Sequence, residues 1–113
     1  MNLIPDPLTA RWLEDFVPDF ESFDWDRGNQ MKNLKHKLTS AEVESVFGQP
    51  YVFAGRITEP AHEEWRGLIL GKTYQGREVT LIFTRRGEKV RPISCRSMRP
   101  EERRIYENTT KEG

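Results

Sequence analysis

Three short segments hold most of the side chains that could perform acid–base or phosphate chemistry. They are Lys32 with Lys35-His36-Lys37, then His62-Glu63-Glu64-Trp65-Arg66, and last Arg91-Pro92-Ile93-Ser94-Cys95-Arg96. A positioned base and a positioned acid each accelerate a reaction by about 10²–10⁴-fold, and arginines stabilise negative charge that develops on phosphorus. Such a set could cleave RNA without a metal, because a base can remove the 2′-hydroxyl proton and an acid can protonate the leaving 5′-oxygen. A nucleic-acid-binding protein without catalysis fits the same residues.

The sequence does not favour other site types. His36 and His62 lie far apart and lack the ligand spacing of a metal site. No glycine-rich phosphate loop and no Ser-His-Asp order is present. The lone Cys95 cannot form an internal disulfide and is predicted to be a small buried apolar residue. The expectation is a site without metal or cofactor.

Charge is strongly segregated along this neutral chain. Residues 1–26 carry seven acids against one base, a net charge of −6, and the remainder carries +6. Most of the basic excess lies in residues 72–99, where six of the eight bases are arginines. A basic block of this kind suits a polyanion, and arginine binds phosphate in a bidentate manner. A solvated charged face is the alternative interpretation.

Length and composition indicate one soluble domain. The chain has 113 residues, of which 35% are hydrophobic and 32% charged, so we expect a modest core beneath a charged surface. No apolar run is long enough to cross a membrane, and the amino terminus lacks the apolar stretch of a signal peptide. These features predict a cytoplasmic protein.

Helices are predicted in the first half of the chain. Asp6-Pro7 begins one that places Leu8, Trp12 and Phe16 on a single face. Phe23–Asp26 could form a short strand, and a second helix is expected over about residues 30–37. Thr39 with Glu42 forms a capping box that opens a third helix, and an extended segment follows at Tyr51-Val52-Phe53.

The second half predicts an antiparallel meander and a closing helix, which makes the fold class α+β. Trp65–Lys72, Arg77–Arg85 and Lys89–Arg96 have strand composition, and Gly76 and Gly87 lie in the intervening turns. A final helix begins at Pro100, with a polar tail that frays from Asn108. Arg91 and Arg96 are five residues apart, so they lie on opposite faces of a regular strand unless Pro92 causes a bulge.

Seven motifs occur in a fixed order along the chain. They are Trp25-Asp26-x-Gly28-Asn29-x-x-Lys32-x-x-Lys35-His36, Glu42-x-Glu44-x-x-Phe47, Glu64-x-Arg66, Gly71…Gly76-Arg77, Phe83-Thr84-x-Arg86, Arg91-Pro92-Ile93-Ser94-x-Arg96-x-Met98 and Glu102…Tyr106-Glu107. Together they resemble one protein family, the BrnT toxins of bacterial toxin–antitoxin systems. The family usually has glycine after Lys-His, where this chain has Lys37. The resemblance covers residues 23–108, leaving an extension of residues 1–22 and a polar tail of residues 109–113.

The resemblance implies a RelE-like fold and a metal-independent endoribonuclease that inhibits translation. It also implies neutralisation by a BrnA-like ribbon-helix-helix antitoxin, in a possible heterotetramer. The positions that match its functional pattern follow. Catalytic roles fall on Lys35, His36, Glu64, Arg91 and Arg96, and RNA binding on Arg66 with Arg85 or Arg86. Glu64 or His36 would be the base, and Arg96 is the stronger arginine candidate. The alternative is a non-catalytic, toxin-like module that binds an antitoxin or nucleic acid.

The resemblance does not explain the extension of residues 1–22. An isolated helix of about ten residues is marginal in water, so the predicted helix must dock to persist. It could enlarge the core behind the sheet, or it could lie near the arginines, where its acids would compete with RNA phosphates. Both docking sites are compatible with the sequence.

Overall fold

A computed structural model describes the backbone of residues 1–112 and the side chains of residues 1–110. The strands are β1 (Asn2–Ile4), β2 (Val52–Glu59), β3 (Gly67–Lys72), β4 (Glu78–Arg86) and β5 (Lys89–Ser97). The helices are α1 (Pro7–Glu14), α2 (Arg27–Leu34), α3 (Ser40–Ser45) and α4 (Pro100–Glu112), with a 3₁₀ turn at Val46–Gly48. All strand pairs are antiparallel, in the order β1-β2-β3-β4-β5. The predicted α+β class and closing helix are confirmed.

Successive side chains of a strand point to opposite faces of the sheet, and apolar side chains are buried on both of these faces. On one face Val79, Leu81 and Phe83 of β4 pack with residues of the first three helices, among them Leu13 and Val43. On the other face Leu68 and Leu70 of β3 pack with Met98 and with Tyr106 of α4. None of the described helices is long and apolar enough to cross a bilayer.

Some predicted elements differ from the structure. The chain at Phe23 makes an isolated bridge to Val90 instead of forming a strand. The extended segment predicted at Tyr51–Phe53 is the start of the eight-residue β2, and the strand β1 was not predicted at all. Helix α4 continues to Glu112, past the tail predicted to fray from Asn108, and Gly113 lies outside the described residues.

The amino-terminal segment is part of the fold. β1 pairs with β2, and Asp6, which caps α1, forms an ion pair with Arg56 at 2.9 Å. The predicted helix is present, but its predicted inward face is wrong at Leu8, which is 83% exposed. Leu13 is buried instead, while Trp12 and Phe16 are partly buried against the core. This packing supports the interpretation in which the helix of the extension enlarges the hydrophobic core.

Leu13→Ala is expected to lower the free energy of unfolding by about 2–5 kcal/mol, because it empties part of a closed core. Leu8→Ala is the matched control, and it should change stability by less than about 0.5 kcal/mol because the side chain is exposed. Urea unfolding of both variants measures the difference. A larger loss in Leu8→Ala than in Leu13→Ala would show that the helix docks through the face predicted from the sequence.

Candidate active site

An open cleft of about 720 Å³ lies between α2 and the end of the sheet that carries the β4–β5 hairpin. Five of the eight residues predicted for the site line it. They are Lys35 after α2, Glu64 and Arg66 before β3, Arg86 at the end of β4 and Arg91 near the start of β5. The fold therefore brings four separate chain segments to one place.

Helix α2 forms one wall of the cleft and is fixed there by its amino terminus. Asp26 is the N-cap and accepts a hydrogen bond from the Asn29 backbone N–H, while the Asn29 side chain accepts one from the Asp26 N–H. This capping box begins the helix at Arg27, three residues earlier than predicted. The Asn29 amide also donates to the carbonyls of Asp24 and Pro92, at 3.0 and 2.8 Å.

Asparagine side chains cover the edge of the sheet along β5. Asn33 accepts a 2.8 Å hydrogen bond from the Cys95 backbone N–H, one turn after Asn29 reaches Pro92. Both asparagines are buried. An edge strand leaves backbone groups unpaired, and the two asparagines provide partners for those of Pro92 and Cys95. These two bonds fix α2 against the strand that carries Arg91.

The carboxyl end of α2 closes in a Schellman motif. The Leu38 and Lys37 N–H groups donate to the carbonyls of Asn33 and Leu34, and Lys37 has a φ of 60°. Arg77 adds two hydrogen bonds to the carbonyls of His36 and Lys37, at 2.8 and 3.0 Å. The left-handed position explains why glycine is usual there in the family that the sequence resembles.

Lys37→Gly is expected to raise the free energy of unfolding by about 1 kcal/mol, since a side chain in the left-handed region costs about that much. Lys35→Gly, two residues earlier with a φ of −58°, is the matched control and should lower stability by about 1 kcal/mol. Thermal and urea unfolding measure both. A loss of stability in Lys37→Gly would contradict this account of the helix end.

Trp65 places Glu64 and Arg66 at the cleft. Its ring packs edge-on against Phe83 at 6.0 Å, and the Arg56 guanidinium lies 5.0 Å from its centroid. The Arg66 carbonyl accepts a hydrogen bond from the Ile57 N–H at 2.8 Å. The aromatic anchor thus fixes the backbone between the two charged residues.

Carboxylates bind both arginines on the side of the cleft opposite α2, where Arg86 and Arg91 of the β4–β5 hairpin form the hairpin wall. Arg86 makes a bidentate pair with Glu64, with Nε–Oε2 and Nη2–Oε1 distances of 2.6 and 3.0 Å. Arg91 Nη2 lies 2.8 Å from Asp26 Oδ2, and Asp24 is within 4 Å of both guanidinium groups. The hydrogen bond from Arg86 lowers the pKa of Glu64 below its usual value. The pKa of Asp26 is also lowered, by the Asn29 N–H and then by Arg91.

Two predicted residues lie outside the cleft lining. His36 is exposed at the end of α2, where its carbonyl binds Arg77. Arg85 bonds the Gly87 carbonyl and Glu88, and its guanidinium lies 4.5 Å from the centre of the Trp12 ring. Arg85 therefore joins the β4–β5 turn to α1.

Arg96 also lies away from the cleft, although β5 contains the bulge that could have brought it to the same site as Arg91. Phe83 pairs with Pro92 and Ile82 with Ser94, which leaves Ile93 as the extra residue. Arg91 then opposes Thr84 and Arg96 opposes Thr80, so both arginines lie on one face. Four residues of β4 separate them by about 13 Å. Arg96 makes a bidentate pair with Glu102 of α4, at 2.7 and 2.9 Å.

Cysteine chemistry gains no support from the described residues. Cys95 is fully buried, and burial raises the pKa of its thiol to about 12, so it is no thiolate nucleophile at neutral pH. Within the part of the chain that the structure describes, no three His, Cys, Asp or Glu side chains lie close enough to hold a metal ion.

Sequence reasoning missed the polar groups that position the cleft arginines. The sequence places Asp24 and Asp26 in a possible strand and indicates no role for the side chains of Asn29 and Asn33. The available signal was Asp26 followed by Asn29 three residues later, a capping-box spacing. No sequence signal pairs Asp24 with the hairpin arginines, since that contact depends on the tertiary fold.

The family model that describes the ribonuclease toxins, BrnT, of type II toxin–antitoxin systems matches residues 25–102. The matched segment includes every cleft-lining residue. The chain belongs to the BrnT family. Membership indicates a ribonuclease toxin with an RNA substrate and an antitoxin partner. A search of curated proteins gives no match to this chain. The likeness of the BrnT fold to RelE-type toxins stays a prediction.

Proposed function

We propose that this BrnT protein is a metal-independent endoribonuclease that cleaves RNA in the cleft beside α2 by attack of the 2′-hydroxyl. The observation that carries the proposal is the convergence of Lys35, Glu64, Arg66, Arg86 and Arg91 on one open cleft. Cations and a carboxylate from four segments are the groups that this reaction needs. The family match supports the substrate class.

The proposed roles follow from position and charge. Arg91 and Arg66 bind the scissile phosphate and stabilise its added negative charge. Glu64 takes the 2′-hydroxyl proton, because it lines the cleft and His36 does not. The 2′-oxygen forms a bond to phosphorus, the bond from phosphorus to the 5′-oxygen breaks, and that oxygen receives a proton from Lys35 or water. The products are a 2′,3′-cyclic phosphate and a 5′-hydroxyl.

The carboxylates beside the arginines do not prevent RNA from binding. The pair of Arg91 with Asp26 is partly exposed on the aspartate side, where 56% of the side chain is accessible. Exposed ion pairs contribute about 0–1 kcal/mol, so a phosphate can replace the carboxylate at small cost. Arg86 stays paired with Glu64 and keeps it ionised, the form that can accept a proton, although the lowered pKa makes it a weaker base than a free glutamate.

The test uses purified protein and end-labelled RNA in excess chelator. We expect cleavage that persists in chelator and leaves a 2′,3′-cyclic phosphate on the upstream fragment. An oligonucleotide with a single 2′-deoxyribose at the cut position should stay intact there. Chelator-sensitive cleavage, or cleavage at the deoxyribose, would contradict the proposed mechanism.

A non-catalytic module is the second candidate, and the pairing of Arg86 and Arg91 with carboxylates favours it. In that case the protein binds RNA or an antitoxin through the same cleft and leaves RNA intact. Growth arrest on expression separates the two functions, provided that the arrest disappears in Arg91→Ala.

The cellular role follows from the family. We propose that cleavage inhibits translation in the cytoplasm, and that a BrnA-like ribbon-helix-helix antitoxin neutralises the toxin, in a heterotetramer. Co-expression with the protein of the adjacent reading frame tests this assignment. Rescue of growth and co-purification support it, and arrest that continues with that protein expressed contradicts it.

A further inference from the structure

One stripe of α2 faces the cleft along the whole helix. Arg27, Met31 and Lys35 are four residues apart, and Gly28 and Lys32 share a similar spacing, so all five lie on one side. Three of the five are cations and none is an acid. Met31 places an apolar side chain between them and is 52% exposed.

The two walls of the cleft differ in whether their cations form ion pairs with carboxylates. Within the part of the chain whose side chains are described, no ion pair involves Arg27, Lys32 or Lys35. Arg86 and Arg91 on the opposite wall are both paired with carboxylates. A phosphate on the α2 wall therefore displaces no carboxylate, whereas one on the hairpin wall does.

The length and rigidity of this wall suit several nucleotides. From Arg27 to Lys35 the helix rises about 12 Å, and a stacked strand carries one charge per about 3.4 Å. The wall thus spans three to four phosphates. The hydrogen bonds of Asn29 and Asn33 to β5 fix the helix, so its cations are held in place before RNA binds.

We propose that the α2 wall is a binding track for single-stranded RNA, three to four nucleotides long, beside the reacting phosphate. The track rests on the proposed function in placing that phosphate at Arg91. Arg27 and Lys32 bind the backbone, Lys35 lies where the track meets the reacting phosphate, and Met31 contacts a base. A base must be unpaired to reach such a side chain, which favours a single strand over a duplex.

Binding is tested without cleavage, on a 2′-O-methyl RNA decamer, by anisotropy at several salt concentrations. Lys32→Gln should weaken binding and reduce the slope of log Kd against log salt by about 0.7, the value for one phosphate contact on a single strand. Arg27→Gln with Lys32→Gln should reduce it by about 1.4. Lys72→Gln, an exposed lysine of β3 outside the cleft, is the matched control and should leave the slope unchanged.

Cleavage supplies the second readout. In Lys32→Gln the ratio of kcat/KM for an RNA decamer to that for a dinucleotide should fall about tenfold, as expected for a lost charge-assisted hydrogen bond. An unchanged ratio and salt slope would overturn the track while ribonuclease activity stands. Equally tight binding of an RNA duplex would also overturn it. If the wild-type protein binds the decamer with these slopes but cleaves nothing, the proposed function fails and the track stands.

Discussion

Arg91→Ala is expected to lower kcat/KM for RNA by about 10²–10³-fold, the loss seen when one preorganised donor to a developing oxyanion is removed. Arg91 is the cleft arginine with a rigid position. Its backbone adjoins the bulge at Ile93, its guanidinium bonds Asp26, and only 16% of its side chain is exposed. The Arg91 backbone therefore needs little reorganisation when a phosphate replaces Asp26.

The same change should leave the protein folded. Asp26 is more than half exposed, so water can solvate its carboxylate when its partner is lost, and the effect on stability should be small. Arg91→Lys separates charge from geometry, because lysine keeps the charge but not the planar fork. We expect Arg91→Lys to recover only part of the lost activity.

Initial rates on a labelled oligonucleotide, with urea unfolding of each variant, measure these effects. Lys72→Ala removes a distant exposed cation and controls for net charge. A wild-type rate in Arg91→Ala would contradict the assignment of the cleft. A drop that follows the unfolded fraction would show a structural role instead.

The turns of the sheet and the start of α3 were largely predictable, because the residues that specify them lie close together in the sequence. Gly87 adopts a φ of 63° in the β4–β5 turn, as the turn residues indicated, and Thr39 with Glu42 marked the start of α3. The inward face of α1 was not predictable in this way. Leu8 and Leu13 are both apolar, and only the tertiary fold decides which of them is buried.

The sequence predicts which chain segments contribute to the candidate site better than it predicts which of their side chains meet in space. Glu64-x-Arg66 and Arg91 lie in the cleft because β3 and β5 both begin at the end of the sheet where β4 ends. Arg96 is part of a separate cluster, since its partner Glu102 lies on α4. Glu102 lies in the first turn of α4, where an acid is favourable, and it also bonds Arg96 of the sheet. Sequence alone does not show which arginine has a carboxylate opposite it.

Arg96→Ala is expected to lower the free energy of unfolding by about 3–5 kcal/mol, the usual cost of breaking a buried ion pair. The side chains of Arg96 and Glu102 are only 15% and 11% exposed. Glu102 also accepts hydrogen bonds from the Thr80 hydroxyl and the Arg99 N–H, at 2.9 and 2.8 Å. Without the guanidinium, a buried carboxylate keeps its charge but loses its cation.

Two variants isolate this cause. Arg103→Ala breaks the exposed pair of the same helix with Glu78, and it should cost about 1 kcal/mol or less. Arg96→Ala combined with Glu102→Gln removes the stranded charge while keeping an acceptor for Thr80 and Arg99. The double variant should recover a large part of the loss, because the two residues act as one unit.

The loss should also depend on pH. Burial raises the pKa of Glu102, but the hydrogen bonds from Arg96, Arg99 and Thr80 outweigh burial and lower it. Stability from this group is then present above the unfolded pKa and lost as pH falls through the folded value. Without Arg96, burial acts with less opposition, so the variant binds a proton at higher pH than the wild type does. The stability difference between the two proteins should therefore shrink as the pH falls from neutral to below about 4.3, the unperturbed pKa of a glutamate.

Activity per folded molecule decides between the two roles of Arg96. A catalytic Arg96, the sequence-based hypothesis, predicts that the alanine variant stays folded and loses cleavage. The ion pair with Glu102 and the distance of about 13 Å from Arg91 along the sheet predict the opposite outcome. Rates corrected for the folded fraction should stay near the wild-type value, while the urea midpoint falls. A folded but inactive Arg96→Ala, with Arg91→Ala still active, would show that the reacting phosphate lies over the Arg96 end of the sheet and not in the cleft beside α2.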